Sequence, residues 1–217
     1  CGPGNSTQIL LNRWPSAHII GIDSSENMID KAKHSYPTME WLVADAATFA
    51  SETKFDIVFS NAVIQWIPDH TRLMESFSSL LSKDGVLAFQ LPQFRDMPLG
   101  KILDTVSRRP KWDSTCGRCR NLFTYHDYPF YYNLLSRTFV RIDMWETFYI
   151  HIMDSHEAIM DWTASTGLRP FLDCIDDDDE KRLFWNEVLE MVRREYPAME
   201  NGKVLFPFKR FFLIGCR

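Results

Sequence analysis

Apolar residues fall in short runs, separated by stretches in which apolar positions recur at helical spacing. Runs over 18–23, 40–45 and Phe55–Asn61 each predict a strand, and the last is apolar enough to be buried on both faces. Helices are predicted over 6–13, closed by Trp14-Pro15, and over 25–34. A further helix over 69–81, a turn at Lys83-Asp84-Gly85 and a strand over 86–91 continue the pattern. Such alternation of strand and helix implies a mainly parallel, doubly wound α/β sheet.

The rhythm breaks after Pro92. Residues 93–137 hold prolines, the basic turn Arg108-Arg109-Pro110-Lys111 and the aromatic cluster Tyr125, Tyr128, Phe130, Tyr131 and Tyr132, and they predict an insertion over the strands' C-terminal edge, where doubly wound folds hold ligands. A long strand over 139–153 follows, then helices over 155–165 and 178–195 within a helical segment spanning about 154–196. A strand signal over 203–216 is broken at Pro207. Two late strands beside helices suit an antiparallel hairpin at one sheet edge. The expected whole is one domain, 1–217, decorated by the insertion and the helical segment.

With 217 residues, 45% hydrophobic and 14% aromatic, the chain can bury a substantial core. A net charge of -5 argues against a general nucleic-acid binder, whose affinity rests on Lys and Arg neutralising phosphates. No apolar run approaches the ~18 residues of a membrane-spanning helix. Cys1, Cys116, Cys119, Cys174 and Cys216 form no regular disulfide framework, so a cytoplasmic setting is expected. Cys116-Gly117-Arg118-Cys119 lacks a second pair for zinc and reads as two thiols in a polar loop. The acidic run from Asp176 to Glu180 lacks the spacing of a calcium loop, and its place ahead of a long helix suits a cap for the positive helix end.

The chemistry is concentrated at the start. Cys1-Gly2-Pro3-Gly4-Asn5-Ser6-Thr7 is a Gly-x-Gly turn leading into a helix, and Asp23 ends the next strand. Glycines let a nucleoside lie against backbone, while a strand-end carboxylate can take ribose hydroxyls. Thr7 occupies the third-glycine position of the dinucleotide pattern, which weakens a pyrophosphate reading and favours S-adenosylmethionine over a nicotinamide. Asp45 is placed to accept from an adenine amino group, with the Ala46 N–H beside it. The segment from Ser60 to Trp66 follows the next strand, where a sulfonium methyl would point. No strand precedes the glycine turn. Because that strand is central in such folds, the chain reads as one whose beginning is absent.

Taken with Gly21-Ile22-Asp23, Ala44-Asp45-Ala46 and Asn61-Ala62-Val63-Ile64-Gln65-Trp66-Ile67-Pro68-Asp69-His70, the opening turn resembles the motifs of class I S-adenosylmethionine-dependent methyltransferases. Gly85-Val86-Leu87-Ala88-Phe89-Gln90-Leu91-Pro92, Asp143-Met144-Trp145-Glu146-Thr147 and Thr166-Gly167-Leu168-Arg169-Pro170-Phe171-Leu172 resemble segments of the trans-aconitate methyltransferase family within it. The resemblance implies a seven-stranded, Rossmann-like sheet with an antiparallel last strand; here the first strand and the N-terminal helices would lie outside the sequence. It also implies cofactor contacts at Gly2, Gly4, Asp23, Asp45 and Ala46, with Ser24, Met28, Asn61 and Trp66 beside them, and a methyl ester product.

Methyl transfer from a sulfonium is an in-line displacement that needs alignment and exclusion of water. A carboxylate is already ionised at neutral pH and needs no general base, so none is assigned, and no metal is called for. Its recognition needs cations and donors, and Arg169 leads the candidates, followed by Tyr149, His151 and Arg210, with Trp145 as a wall. Arg169 equally suits a cation capping a helix C-terminus. The expected acceptor is trans-aconitate or a related di- or tricarboxylate, with neither nucleic acid nor membrane as partner and the protein a monomer or weak homodimer. Fatty, isoprenoid or carrier-bound acids, amines and phenols remain as alternative acceptors. A nicotinamide oxidoreductase or a non-catalytic cofactor binder is the reading from another class.

Overall fold

The computed structural model describes every residue from Cys1 to Arg217. In chain order its elements are α1 (Asn5–Arg13), β1 (Ile20–Asp23), α2 (Glu26–Ser35), β2 (Glu40–Val43), β3 (Phe55–Asn61), α3 (His70–Leu80) and β4 (Leu81–Pro92). There follow α4 (Pro98–Ser107), α5 (Asp113–Cys116), α6 (Tyr128–Leu135), β5 (Arg141–Met153), α7 (His156–Ala164), α8 (Arg169–Asp173), α9 (Asp178–Glu195) and β6 (Val204–Cys216). They form two compact units. One comprises Cys1–Gln90, His126–Met144 and Leu213–Arg217, the other Leu91–Tyr125 and Trp145–Phe212.

In the first unit β1 and β2 pair in parallel, with Ile20 opposite Glu40 and Asp23 opposite Val43. Ser25 caps α2 by accepting the Met28 N–H at 3.4 Å. Ile29 and Ala32, three apart and so on one helix face, bury themselves with Met39 and Trp41. β3 and β4 also pair in parallel, and Asp69 caps the intervening α3 through the Arg72 N–H at 3.0 Å. The expected turn at Lys83-Asp84-Gly85 is not a break. Leu81 faces Phe55 and Val86 faces Ile57, so the ladder resumes after a bulge that absorbs these residues into β4.

The strands make a two-stranded sheet, β1-β2, and a mixed four-stranded sheet of order β3-β4-β6-β5. The fold is thus α/β, with six strands in two sheets where the resemblance implied seven in one. The chain's last strand, β6, lies between β4 and β5. It runs antiparallel to β4, with Arg217 N–H on the Gly85 carbonyl at one end and Gln93 N–H on the Lys209 carbonyl at the other. Contrary to expectation Pro207 does not interrupt β6. It falls beyond Lys209, past the end of β4, where that neighbour asks no N–H of it.

In the second unit α4 packs on α9. Leu99, Ile102, Leu103 and Val106 meet Phe184, Val188, Leu189 and Val192 in one buried cluster, each such side chain contributing about 1.5–3 kcal/mol of transfer free energy. Asp177 caps α9, accepting the Asp179 and Glu180 N–H groups at 2.9 Å, as the acidic run suggested. Glu187 accepts from both Arg109 (2.6 Å) and Trp112 Nε1 (3.0 Å), fixing the end of α4 to α9. The cysteine segment departs from its reading as a polar loop of thiols. It folds as α5 and a 3-10 turn whose inner face buries Cys116 and Cys119, and Cys119 is disulfide-bonded to Cys174. That partner lies far along the chain, so local spacing held no sign of it.

Candidate active site

Gly2 and Gly4 both have positive φ, 57° and 94°, a conformation open to glycine at little cost. Their surroundings differ. A Cβ on Gly4 would come within 2.7 Å of the Tyr36 ring and 2.9 Å of the Trp41 ring, whereas one on Gly2 would meet nothing within 4 Å. Gly2 therefore presents bare backbone to open space. Asp23 holds this turn from the end of β1. Its Oδ2 accepts from the Gly2 N–H at 2.8 Å and the Cys1 backbone nitrogen at 3.2 Å, while Oδ1 accepts from the Ser25 N–H at 3.0 Å. Partial burial raises its pKa, but the Ser25 and Gly2 amides together with the positively charged Cys1 nitrogen hold the carboxyl below the ordinary value.

The ends of β2 and β3 join the same place. Ala44 N–H donates to the Asp23 carbonyl at 3.0 Å, which brings Asp45 and Ala46 beside β1's end. Asp45 is exposed and accepts from the Ala47 N–H at 2.9 Å. Asn61 Nδ2 donates to Ser6 Oγ at 3.0 Å, tying the end of β3 to the first turn of α1. Ser24 is exposed and Met28 half-buried, both at the start of α2. Trp66 closes a 3-10 turn after β3 with 40% of its surface accessible. The nine cofactor candidates thus all lie around the C-terminal ends of parallel strands in one unit.

Two features here were not picked out from sequence. Ala62 has φ 54°, the sole non-glycine in the left-handed region, and its N–H is held by the Gln90 carbonyl at 2.9 Å. No local residue type signals that strain. His70, quoted only as part of a motif, is buried beneath the same loop. Its Nε2 lies 2.8 Å from the Ile64 carbonyl and its Nδ1 2.7 Å from the Tyr131 hydroxyl. A carbonyl only accepts, so Nε2 carries the proton and Tyr131 donates to Nδ1. Burial lowers the His70 pKa despite the Ile64 bond. The unfolded chain therefore binds this proton more readily. Stability is expected to be full above about pH 6.5 and to fall as pH drops through the lower folded value. Melting temperatures of wild type and His70→Asn between pH 7 and 5 check this, the variant showing the shallower dependence.

The acceptor candidates lie in the second unit, and three of them come together. The Arg210 guanidinium sits 5.9 Å from the Tyr149 ring and 4.8 Å from Phe208, and the His151 ring is 6.2 Å from Tyr149. Burial, then the Arg210 charge, lowers the His151 pKa, so the ring is neutral near pH 7. Its Nε2 is buried without a hydrogen-bond partner. Trp145 stacks on Phe212 at 5.1 Å. Arg169 does not join them. It is the first residue of α8, not a C-cap, and pairs with Asp173 at 3.4 Å while 59% exposed.

Comparison with known proteins decides what this arrangement belongs to. A family model described as a methyltransferase domain matches residues 1–89. Trans-aconitate 2-methyltransferase of Escherichia coli O157:H7 (strain EC4115 / EHEC) is 40% identical over 217 residues, spanning 100% of this chain and 84% of that protein. The chain belongs to this family of S-adenosylmethionine-dependent methyltransferases. The enzyme of the same name from Enterobacter sp. (strain 638) is 38% identical, again over 100% of this chain and 84% of its own length. Among solved structures, Haemonchus contortus phosphoethanolamine N-methyltransferase 2, bound to phosphomonomethylethanolamine and S-adenosylhomocysteine, covers 99% of this chain and 46% of its own at 16% identity and TM-score 0.55. At that identity the likeness speaks for the methyltransferase fold. No helix of this methyltransferase is long and apolar enough to cross a membrane.

Proposed function

We propose that this methyltransferase forms a methyl ester on a small carboxylic acid, trans-aconitate or a related di- or tricarboxylate. The observation carrying this reading is the 40% identity, across the whole chain, with an enzyme named for that acceptor. The residues at the strand ends suit the cofactor. Gly2 leaves backbone open where a side chain would intrude, and the donor set is carboxylate and amide, as neutral ribose and adenine require. When bound, S-adenosylmethionine supplies an electrophilic methyl on a sulfonium.

In this reading Gly2 and Gly4 form the turn beneath the cofactor, with Ser24 and Met28 alongside. Asp45 accepts from the adenine amino group next to the Ala46 N–H, and Asn61 and Trp66 border the methyl. Asp23 accepts from the Gly2 N–H on Oδ2 and from the Ser25 N–H on Oδ1, so it holds the turn while Oδ1 keeps a position for a ribose hydroxyl.

For the acceptor, Arg210 supplies the cation and His151 Nε2 a buried polar atom awaiting a partner, with Tyr149 and Trp145 as apolar walls. Arg210 ranks ahead of Arg169 because it lies beside Tyr149 and carries its charge near His151, whereas Arg169 is exposed on α8. Label from S-adenosylmethionine should appear on trans-aconitate as a base-labile product; its absence, with cofactor still bound, would sink this assignment. Arg210→Met is expected to raise KM for the acid roughly 10- to 100-fold through loss of charge-assisted hydrogen bonds, leaving cofactor affinity unchanged. Steady-state kinetics beside a cofactor titration separates the two. The rings of Tyr149, Trp162 and Phe208 around His151 favour a second reading, an acid with a larger apolar body, to be included in the same acceptor panel.

A further inference from the structure

The second unit contains a cavity of about 460 Å³ that none of the acceptor candidates lines. Its wall carries Arg95, Lys101, Arg108 and Arg120 against a single carboxylate, Asp104. Two of these cations are already matched: Arg108 Nε donates to Asp104 at 2.8 Å and Arg120 to Asp113 at 2.5 Å. Arg95 and Lys101 have no carboxylate partner. The Arg95 guanidinium lies 5.4 Å over the ring of Tyr125, which is itself part of the lining. The cavity thus keeps an excess of two positive charges beside aromatic surface.

That surface is built from Phe94, Phe123 and Tyr125, with Phe123 lying 6.1 Å from Phe94 and 6.2 Å from Tyr125 between ring centres. The Tyr125 hydroxyl is buried and completes no hydrogen bond, although the Phe94 backbone lies to one side. Burial pushes its pKa well up against the pull of Arg95, so it stays a neutral donor. A buried hydroxyl left without an acceptor for its proton is destabilising, which an accepting ligand oxygen would relieve. The Cys119–Cys174 disulfide joins the segment bearing Arg120 to the one bearing Phe171, another lining residue. The walls are therefore fixed before any ligand arrives, which lowers the ordering cost of binding. The volume is in the range of small-molecule sites, roughly 300–1,000 Å³.

We propose that this cavity binds an organic dianion with a flat apolar body, an aryl phosphate or an aryl dicarboxylate. Arg95 and Lys101 meet its charge, Tyr125 donates to one of its oxygens, and Phe94 and Phe123 hold the ring. The site is distinct in composition from the Tyr149, His151 and Arg210 cluster and does not depend on the acceptor assignment.

Calorimetric titration of the full chain, with S-adenosylhomocysteine saturating, tests this with phenyl phosphate, benzene-1,3-dicarboxylate, inorganic phosphate and benzyl alcohol as probes. At least one aryl dianion should bind at one per chain, and the tighter of the two shows which anionic group is preferred. Affinity should fall about tenfold or more in Arg95→Ala/Lys101→Ala and about threefold or more in Tyr125→Phe, and should weaken with salt. Arg95 and Lys101 are exposed, so their replacement should leave the melting temperature unchanged. Inorganic phosphate and benzyl alcohol, each lacking half the recognised chemistry, should bind at least about tenfold more weakly. No saturable binding of either aryl dianion, equal affinity in the double variant, or displacement by trans-aconitate would overturn the proposal.

Discussion

Asp23→Asn should lose S-adenosylmethionine binding by about two orders of magnitude, because it strikes the proposed ligand contact and the turn together. The carboxylate accepts from Gly2, Cys1 and Ser25 at 2.8 to 3.2 Å. An isosteric amide keeps one acceptor oxygen and turns an NH2 group toward backbone donors, so at least one contact becomes repulsive. Titration calorimetry with S-adenosylmethionine reads the loss; unchanged affinity would remove Asp23 from the cofactor site. The same substitution carries a signature in acid. A carboxyl whose folded pKa is depressed stabilises the protein above its unfolded pKa, near 4, and that contribution disappears as pH falls through the folded value. The variant should show less acid dependence of stability in that window.

Gly100→Ala is expected to cost about 2–4 kcal/mol, although alanine at an interior helical position ordinarily gains up to about 1 kcal/mol over glycine. The reversal follows from close approach. A Cβ at Gly100 would lie 2.0 Å from the carbonyl oxygen and 2.9 Å from the carbonyl carbon of Phe94, and backbone cannot swing aside as a flexible side chain can. Phe94 is clamped from another side as well, since a Cβ at Gly167 would sit 2.5 Å from its ring. For a chain of 217 residues the loss corresponds to a fall in melting temperature of roughly 5–15 °C. Scanning calorimetry of Gly100→Ala beside Gly117→Ala makes the test, because Gly117 has helical φ of -55° and a Cβ there meets only the mobile end of the Arg120 side chain. A stable Gly100→Ala protein would mean that α4 does not pack this tightly.

What was legible in the sequence was whatever depends on near neighbours. The apolar run of β3 has the predicted bounds, but the expectation that it is buried on both faces fails: only Ser60 is buried, while Ile57 and Phe59 are exposed, because an apolar run marks a strand without showing what covers it. Asp177 caps α9 by reaching amides two and three residues on, so the acidic run ahead of that helix was a local signal. The gathering of the cofactor candidates was legible for the same reason, each lying near a strand end or in the glycine turn. The grouping of the acceptor candidates was not. Arg169 looked suitable in its own segment, and nothing there shows that Asp173 takes its charge while Arg210 stands against Tyr149. The Cys119–Cys174 bond, the His70–Tyr131 contact and the antiparallel seating of β6 join residues far apart in the chain, where periodicity carries no information.

Trp41 gives the glycine turn an evolutionary constraint. Its indole occupies the space that side chains at two glycines would need: a Cβ on Gly21 would lie 2.3 Å from the ring and one on Gly4 2.9 Å from it. These three positions are consequently free to drift only as a set. A relative that carries alanine at the equivalent of Gly21 must already have a smaller residue opposite it in β2, and a lineage that keeps the tryptophan closes that route one substitution at a time.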